Sequence, residues 1–352
     1  MLVGDPQITD DLSYQRTGII MEVTKFISAL YMKRNYKHLV RSLEPSDVFF
    51  MGDLMDHGRD WDEITYEKEV VRFHSIFNSP QSKHYMAGNH DVGFGNGITR
   101  SRQHLFQKHF GNSSYIHTTP HGYTFVVIDT VALSSDDPTI RQDAMDILNS
   151  PMPHSPRILM THVPLWREPN SFCGPDRQAM DGGIRDGQGY QYQNLVSKQL
   201  SDLILDRVQP VTVFSGDDHD YCQLVHRSEI IEMTVPTFSM AQGIRYPGVM
   251  LLDIADGALA TQLCWLPDQI GIFITYAYLL VTSLVVLGLF HLYQWSKRGH
   301  GHFPLKQEED MISPSPPSIP LSSRQYLVHF LKSIRDVAIV AIPTYCFCIL
   351  FL

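Results

Sequence analysis

Five short blocks of this chain place Asp, Asn, Gln or His directly after an apolar run: Gly4-Asp5-Pro6-Gln7, Gly52-Asp53-Leu54-Met55-Asp56, Gly88-Asn89-His90-Asp91, Thr161-His162, and Gly216-Asp217-Asp218-His219. These side chains carry the oxygen and nitrogen donors that hold divalent cations. An apolar run ending in Gly-Asp, as 47–53 does, reads as a buried strand that delivers a carboxylate to its C-terminal tip, where open α/β sheets bind ligands. Asp53 is therefore the pivot. The pattern predicts one metal site assembled from five loops far apart in sequence.

The elements that must position these donors are written in the periodicity. After Gln7 and a polar stretch comes 19–43, where Ile20, Val23, Phe26, Ile27, Leu30 and Tyr31 recur at three and four, which predicts an amphipathic helix with these residues as its apolar face. Helices are also predicted over 63–77 and over 100–110, the latter ended by Gly111, and a short strand over 84–87 feeds the Gly88 turn. Such alternation indicates an α/β domain. From Ser114 the period changes to two, predicting strands at 115–118, 123–129, 157–160 and 210–214, then 225–233, 237–240 and 249–254. The second half is therefore β-rich. The irregular, glycine-rich stretch 182–192 is too long for a simple connection and reads as a substrate-facing loop. Its Tyr190 and Tyr192 are candidates for stacking on a sugar, with loop packing the alternative.

The chain of 352 residues is 43% hydrophobic, enough for one large core with appendages. Its 28 basic and 37 acidic residues give a formal charge of −9, which argues against nucleic acid as a partner and suits a protein that gathers cations. The segment 270–293 runs without Asp, Glu, Lys or Arg and is long enough to span a bilayer. Lys297, Arg298, Lys306, Arg324, Lys332 and Arg335 follow it, so the positive-inside rule puts 294–334 in the cytoplasm as a linker and the domain over 1–265 in the lumen. Ser and Pro at 313–318 mark that linker as flexible. A second apolar run, 335–352, is expected to return into the membrane. Asn112-Ser113-Ser114 is a glycosylation sequon for a lumenal domain. The five cysteines are too few and too irregular for a disulfide framework. Burial habit favours free thiols at Cys173 and Cys222, with one bridge between them as the alternative in a lumenal domain.

The order of the five blocks resembles the calcineurin-like metallophosphoesterases, whose pattern runs Asp-x-His, Gly-Asp-x-x-Asp, Gly-Asn-His-Asp, a lone His, and Gly-His-x-His. The resemblance covers Asp5 to His219. Two positions depart from it: Gln7 and Asp217 stand where the family has His. The resemblance implies two facing mixed β-sheets with helices outside, a four-layer sandwich, followed here by transmembrane helices. It also implies a two-metal phosphoesterase in which Asp53 bridges the ions, Asp5, Gln7 and His219 complete one, and Asn89, His162 and Asp217 the other. His90 matches the general acid, and Asp56 would hold its second nitrogen. Arg59 is a candidate for substrate phosphate, with a surface ion pair the alternative. The two departures replace imidazole by oxygen donors, which favours Mn²⁺ or Mg²⁺ over Zn²⁺.

Asp-Pro-Gln at the first block, Gly-Asp-Asp-His-Asp-Tyr-Cys at 216–222 and Gly-Tyr-Gln-Tyr-Gln-Asn-Leu at 189–195 are similar to a fungal, cell-division-control branch of the family whose mammalian relatives remodel GPI anchors. That branch implies a Mn²⁺-dependent phosphodiesterase of the ER or Golgi membrane. Its implied substrate is the ethanolamine phosphate on a mannose of the GPI lipid or of GPI-anchored proteins. A phosphoesterase for another phospholipid or a nucleotide, and a non-catalytic membrane protein with a degenerate site, are the alternatives. Secretory-pathway members usually begin with a membrane segment, and Met1-Leu2-Val3 is short for a central strand. A truncated start is therefore expected.

Overall fold

The computed structural model describes residues 1–255, 258–299 and 323–351, in two units, Met1–Gln269 and Ile270–Leu352. In the first unit, β1 (Leu2–Val3), β2 (Asp47–Phe50) and β3 (Ser82–Tyr85) run parallel, with Val3 opposite Phe50 and Phe50 opposite Tyr85. This register brings the ends of three strands level, so the loops carrying Asp5, Asp53 and Asn89 leave the sheet side by side. A second sheet contains β4 (Tyr115–Thr118), β5 (Thr124–Ile128) and β6 (Arg157–Thr161). The chain then makes a small hairpin, β7 (Gln188–Gly189) and β8 (Tyr192–Gln193). It returns to the second sheet as β9 (Thr212–Ser215), β10 (Cys222–His226) and β11 (Ile230–Thr234), and β12 (Gly248–Ala255) and β13 (Ala258–Trp265) close the first. The spatial orders are β13-β12-β1-β2-β3 and β10-β11-β9-β6-β5-β4.

Side-chain alternation along the strands explains why the two sheets face each other. Phe49 and Met51 of one sheet pack with Phe125, Val127, Ile158, Met160 and Phe214 of the other in a buried inner cluster. The intervening residues Phe50, Val126, Leu159 and Val213 point outward to the helices. The result is a helix–sheet–sheet–helix arrangement of mixed sheets. Helix Glu63–Ile76 starts where Asp62 accepts the Thr65 N–H at 2.7 Å, and its Phe73 packs on Phe50 and Phe77.

Several sequence expectations need correction. Helix Gly18–Leu43 buries Met21, Tyr31, Met32, Tyr36, Leu39 and Val40, whereas Ile20, Val23 and Phe26 of the expected apolar face are exposed. The span expected as one strand over 225–233 is a hairpin, because Arg227 and Ser228 both adopt left-handed backbone (φ 50° and 68°) and reverse the chain. Residues 237–240 form no strand beyond a bridge from Thr237 to Gly4, and β13 was not anticipated. Cys173 and Cys222 form a disulfide, not the free thiols expected.

The second unit opens within helix Gln269–Gly299, which contains the apolar stretch Gln269–Ser296. At about 1.5 Å per residue its 28 residues exceed the roughly 30 Å apolar core of a bilayer. Among the described residues it is the one helix long and apolar enough to cross a membrane. The second apolar run lies in helix Ser323–Phe351, which starts ahead of the expected 335 and contains Pro343. The expected flexible stretch 313–318 lies outside the described residues.

Candidate metal centre

The strand tips converge. Gln7 N–H donates to the Asp53 carbonyl at 2.9 Å and Ile8 N–H to the Leu54 carbonyl at 3.2 Å, which carries the β1–β2 pairing past the two Gly-Asp turns. Gly216 N–H donates to the His162 carbonyl at 2.7 Å and does the same across the second sheet. Asp217 N–H lies 3.0 and 3.1 Å from the two Asp5 carboxylate oxygens and joins one sheet's loop to the other's. Asp5, Gln7, Asp53, Asn89 and His162 are all buried. Backbone conformation sets the aim of these side chains: Asp5, Gln7, Asp53, Asp217 and His219 all have positive φ, between 33° and 67°. Each such residue costs about 1–3 kcal/mol, which persists only where the surrounding structure enforces it.

His162 organises one half of the site. Its Nδ1–H donates to the Met51 carbonyl at 2.8 Å, which directs Nε2 at an all-oxygen wall. That wall consists of Asn89 Oδ1 at 3.2 Å, Asp53 Oδ1 at 3.3 Å and Asp217 Oδ1 at 3.5 Å. Burial opposes a charge on His162, but the carboxylates of Asp53, Asp217 and Asp5 hold its pKa well above the usual imidazole range. Burial pushes His219 the other way, towards the neutral imidazole a metal ligand requires, and its ring feels the charges of Asp53, Asp217, His90 and His162. Glycine is required where these groups meet: a Cβ on Gly88 would lie 2.1 Å from Asp53 Oδ1 and 2.7 Å from His162 Nε2.

The donors fit divalent cations on two observations. Gln7 Nε2 donates to Asp53 Oδ2 at 3.0 Å, which leaves its Oε1 buried without a donor among the described residues. A buried carboxamide oxygen with no partner costs stability unless a cation takes it. Second, three carboxylates, two carboxamides and two imidazoles are gathered, and among the described residues no lysine or arginine is paired with them to balance their charge. Asp53, Asp5 and His162 each offer a ligand atom within 4.8 Å of the others. Asp218 does not compete with Asp217 for this role, because Arg177 Nη1 binds its carboxylate at 2.5 Å.

The remaining expected residues fall around this cluster. His90 donates its backbone N–H to Asp53 Oδ1 at 2.8 Å, and its Nδ1 donates to the backbone carbonyl of Asp56 at 2.5 Å. Asp56 thus holds the second nitrogen of His90 mainly through its backbone carbonyl, while its carboxylate stands 3.6 Å from the same nitrogen and also accepts from Ser13 Oγ. Arg59 Nη1 donates to the Asn89 carbonyl at 3.1 Å and its Nε lies 3.5 Å from Asp60, so it braces the Asn89 turn. Tyr190 and Tyr192 are exposed at the tip of the β7–β8 hairpin.

Two residues that position the ligands were not singled out from sequence. Asp91 accepts N–H groups from Leu54, Met55 and Gly88 at 3.1, 3.0 and 2.9 Å and welds the Asp53 and Asn89 loops together. Burial, and then the Asp53 charge, push its carboxyl up to about 7 against those three donors. Gln191 reaches in from the distant hairpin: its carbonyl accepts Asn89 Nδ2 at 3.1 Å, which turns Asn89 Oδ1 towards His162. The Gln191 side chain is seated by the Phe94 N–H at 2.7 Å, and a Cβ on Gly93 or Gly97 would collide with it. The glycine spacing 93–97 was the available signal.

A family model for the calcineurin-like phosphoesterases matches residues 3–221, a span that contains every donor described above. The chain belongs to the calcineurin-like phosphoesterase family. It is 35% identical over 323 residues to cell division control protein 1 of Saccharomyces cerevisiae, covering 83% of this chain and 65% of that protein. To metallophosphoesterase 1 of Gallus gallus it is 28% identical over 288 residues, 74% of this chain and 71% of that one. The chain thus spans a little under two thirds of the yeast relative's length. These relatives agree with the branch that the sequence blocks resemble. Among solved structures, a dimetal phosphatase from Danio rerio is 11% identical with a TM-score of 0.48, covering 75% of this chain and 95% of that one.

Proposed function

We propose that this phosphoesterase-family chain hydrolyses a phosphodiester with two divalent ions, Mn²⁺ by preference, and that its substrate is the ethanolamine-phosphate side branch on a GPI mannose. The observation that carries the hydrolase assignment is the gathering of donors from five loops around the Asp53 carboxylate, with His90 beside it. When bound by Asp5, Gln7, Asp53, Asn89, His162, Asp217 and His219, such ions polarise phosphoryl oxygens and acidify a water to near neutral pH. The oxygen-rich set of two carboxamides and three carboxylates suits a hard cation. His90 moves the proton. Its Nδ1–H is committed to the Asp56 carbonyl, so Nε2 is the atom that protonates the departing alkoxide. Asp91 and Gln191 keep the ligand loops in register, and the hairpin bearing Tyr190 and Tyr192 stands beside Asn89 where a sugar would lie.

Three observations support a membrane-bound, lumenal enzyme of the ER or Golgi. The domain runs directly into the apolar helix at Gln269, so a lipid-anchored substrate would share its membrane plane. The Cys173–Cys222 disulfide suits an oxidising compartment. The exposed Asn112 of the sequon suits glycosylation there. The test is assay of the full chain in detergent with Mn²⁺ against a GPI glycan carrying ethanolamine phosphate, beside Asp53→Ala and His90→Ala. Release of ethanolamine phosphate by the wild type alone supports the proposal. Hydrolysis of an aryl phosphodiester with no action on the glycan would redirect it to another phospholipid or nucleotide substrate.

A further inference from the structure

A second group of donors lies at the opposite end of the sandwich. Asp47 opens β2, while Asp53 follows its end; at about 3.3 Å per residue the two are roughly 20 Å apart along the strand. Asp47 Oδ1 accepts from His84 Nε2 of β3 at 2.8 Å, and His117 Nε2 of β4 stands 3.7 Å from the same oxygen. The imidazole centroids are 4.3 Å apart, and all three ligand atoms lie within 4.8 Å of one another. Asp47 and His84 belong to the five-stranded sheet and His117 to the six-stranded one. The triad therefore bridges the gap between the sheets. Its rings are held in place: His84 stacks on Phe49 at 4.4 Å, and His117 meets the same ring edge-on at 6.0 Å. All three side chains keep some solvent access, so an ion has a path in.

We propose that Asp47, His84 and His117 form a three-ligand zinc site that clips the two sheets together, independent of the catalytic centre. Zn²⁺ binds imidazole nitrogen and carboxylate oxygen at about 2.0–2.2 Å in tetrahedral array, which sets its ligand atoms about 3.3–3.6 Å from one another. The two observed spacings, 2.8 and 3.7 Å, bracket that value. Two nitrogens and one oxygen favour zinc over the hard ions suited to the Asp53 cluster. The fourth position would be left to solvent. Because the ligands come from both sheets, binding selects the folded state: at free zinc one hundred times the dissociation constant, the folded-to-unfolded ratio rises about a hundredfold.

The test uses the full chain in detergent, loaded with Mn²⁺ and then titrated with Zn²⁺, against His84→Asn/His117→Asn. Wild type should bind one more equivalent of zinc than the variant, show an upward Tm shift on titration that the variant lacks, and hydrolyse phosphodiester at the variant's rate. Equal zinc content and equal shifts in both proteins would overturn the proposal. Should the double variant fail to fold, zinc-edge anomalous diffraction from wild type decides: a peak between His84 and His117 supports the site, and zinc confined to the Asp53 cluster refutes it.

Discussion

Replacing Gly88 by alanine tests the site at its tightest point. Gly88 has φ −109° and ψ 175°, a conformation any residue adopts, so the backbone itself does not object to a side chain. The objection is spatial. The new Cβ would lie 2.1 Å from Asp53 Oδ1 and 2.3 Å from the Asp53 backbone nitrogen, and opening the first contact to about 3.3 Å, an ordinary carbon–oxygen separation, moves Asp53, backbone included, by about 1.2 Å. A displacement of about 1 Å in catalytic geometry costs on the order of a hundredfold in rate, or about 2.7 kcal/mol in the barrier. The assay is kcat/KM on an aryl phosphodiester at saturating Mn²⁺, with metal content and thermal melting measured on the same preparation. Gly88→Ala should fold, hold less metal and lose about two orders of magnitude in kcat/KM. A variant within threefold of wild type and with full metal content would refute the placement of Asp53 at the centre.

Other perturbations separate the remaining roles. Gln191→Ala removes the side chain that seats the hairpin and should lower metal affinity or kcat/KM about tenfold or more, as loss of a ligand's positioning partner does; Mn²⁺ titration of activity reads it. His90→Ala should lower kcat by about 10²–10³ on an alkyl phosphodiester with metal content unchanged, and much less on a p-nitrophenyl ester whose leaving group needs no proton. Reducing Cys173–Cys222, which closes a loop of 49 residues in separation, should cost about 4 kcal/mol in denaturant melts. Glu232 supplies a pH prediction. Burial alone would raise its carboxyl, but Arg167 at 3.1 Å and His226 at 2.5 Å hold it below the usual range. A depressed folded pKa stabilises above the ordinary glutamate value of about 4.3 and is lost as pH falls through the folded value. Glu232→Gln should therefore flatten the acid limb of stability below about pH 4 in melts across pH.

What the sequence disclosed divides along the range of the interactions. Strand-end blocks such as Gly52-Asp53 and Gly88-Asn89-His90-Asp91 are local, and their hydropathy carries both the strand and its terminal donor, so the cluster could be drawn before any coordinate. Gln191 could not be found that way, because its contact with Asn89 is about a hundred residues long in sequence and depends on where a hairpin docks. The Cys173–Cys222 bridge has the same character. Asp56 meets His90 as expected, but the shorter contact is from its backbone carbonyl, and its carboxylate is shared among Ser13, His57 and His90. The helix Gly18–Leu43 shows the limit of periodicity: Ile20, Val23 and Phe26 sit on a stripe that the underlying sheet does not cover, while the later Tyr36 and Leu39 reach the core.

The central claim is that loops remote in sequence hold a pair of cations about a shared carboxylate. Anomalous diffraction from crystals of the Mn²⁺-loaded chain tests it most directly. Two manganese peaks about 3.5–4 Å apart are expected, flanking Asp53, with His162, Asn89 and Asp217 on one and Asp5, Gln7 and His219 on the other. A single peak, or peaks that do not share Asp53, would contradict it.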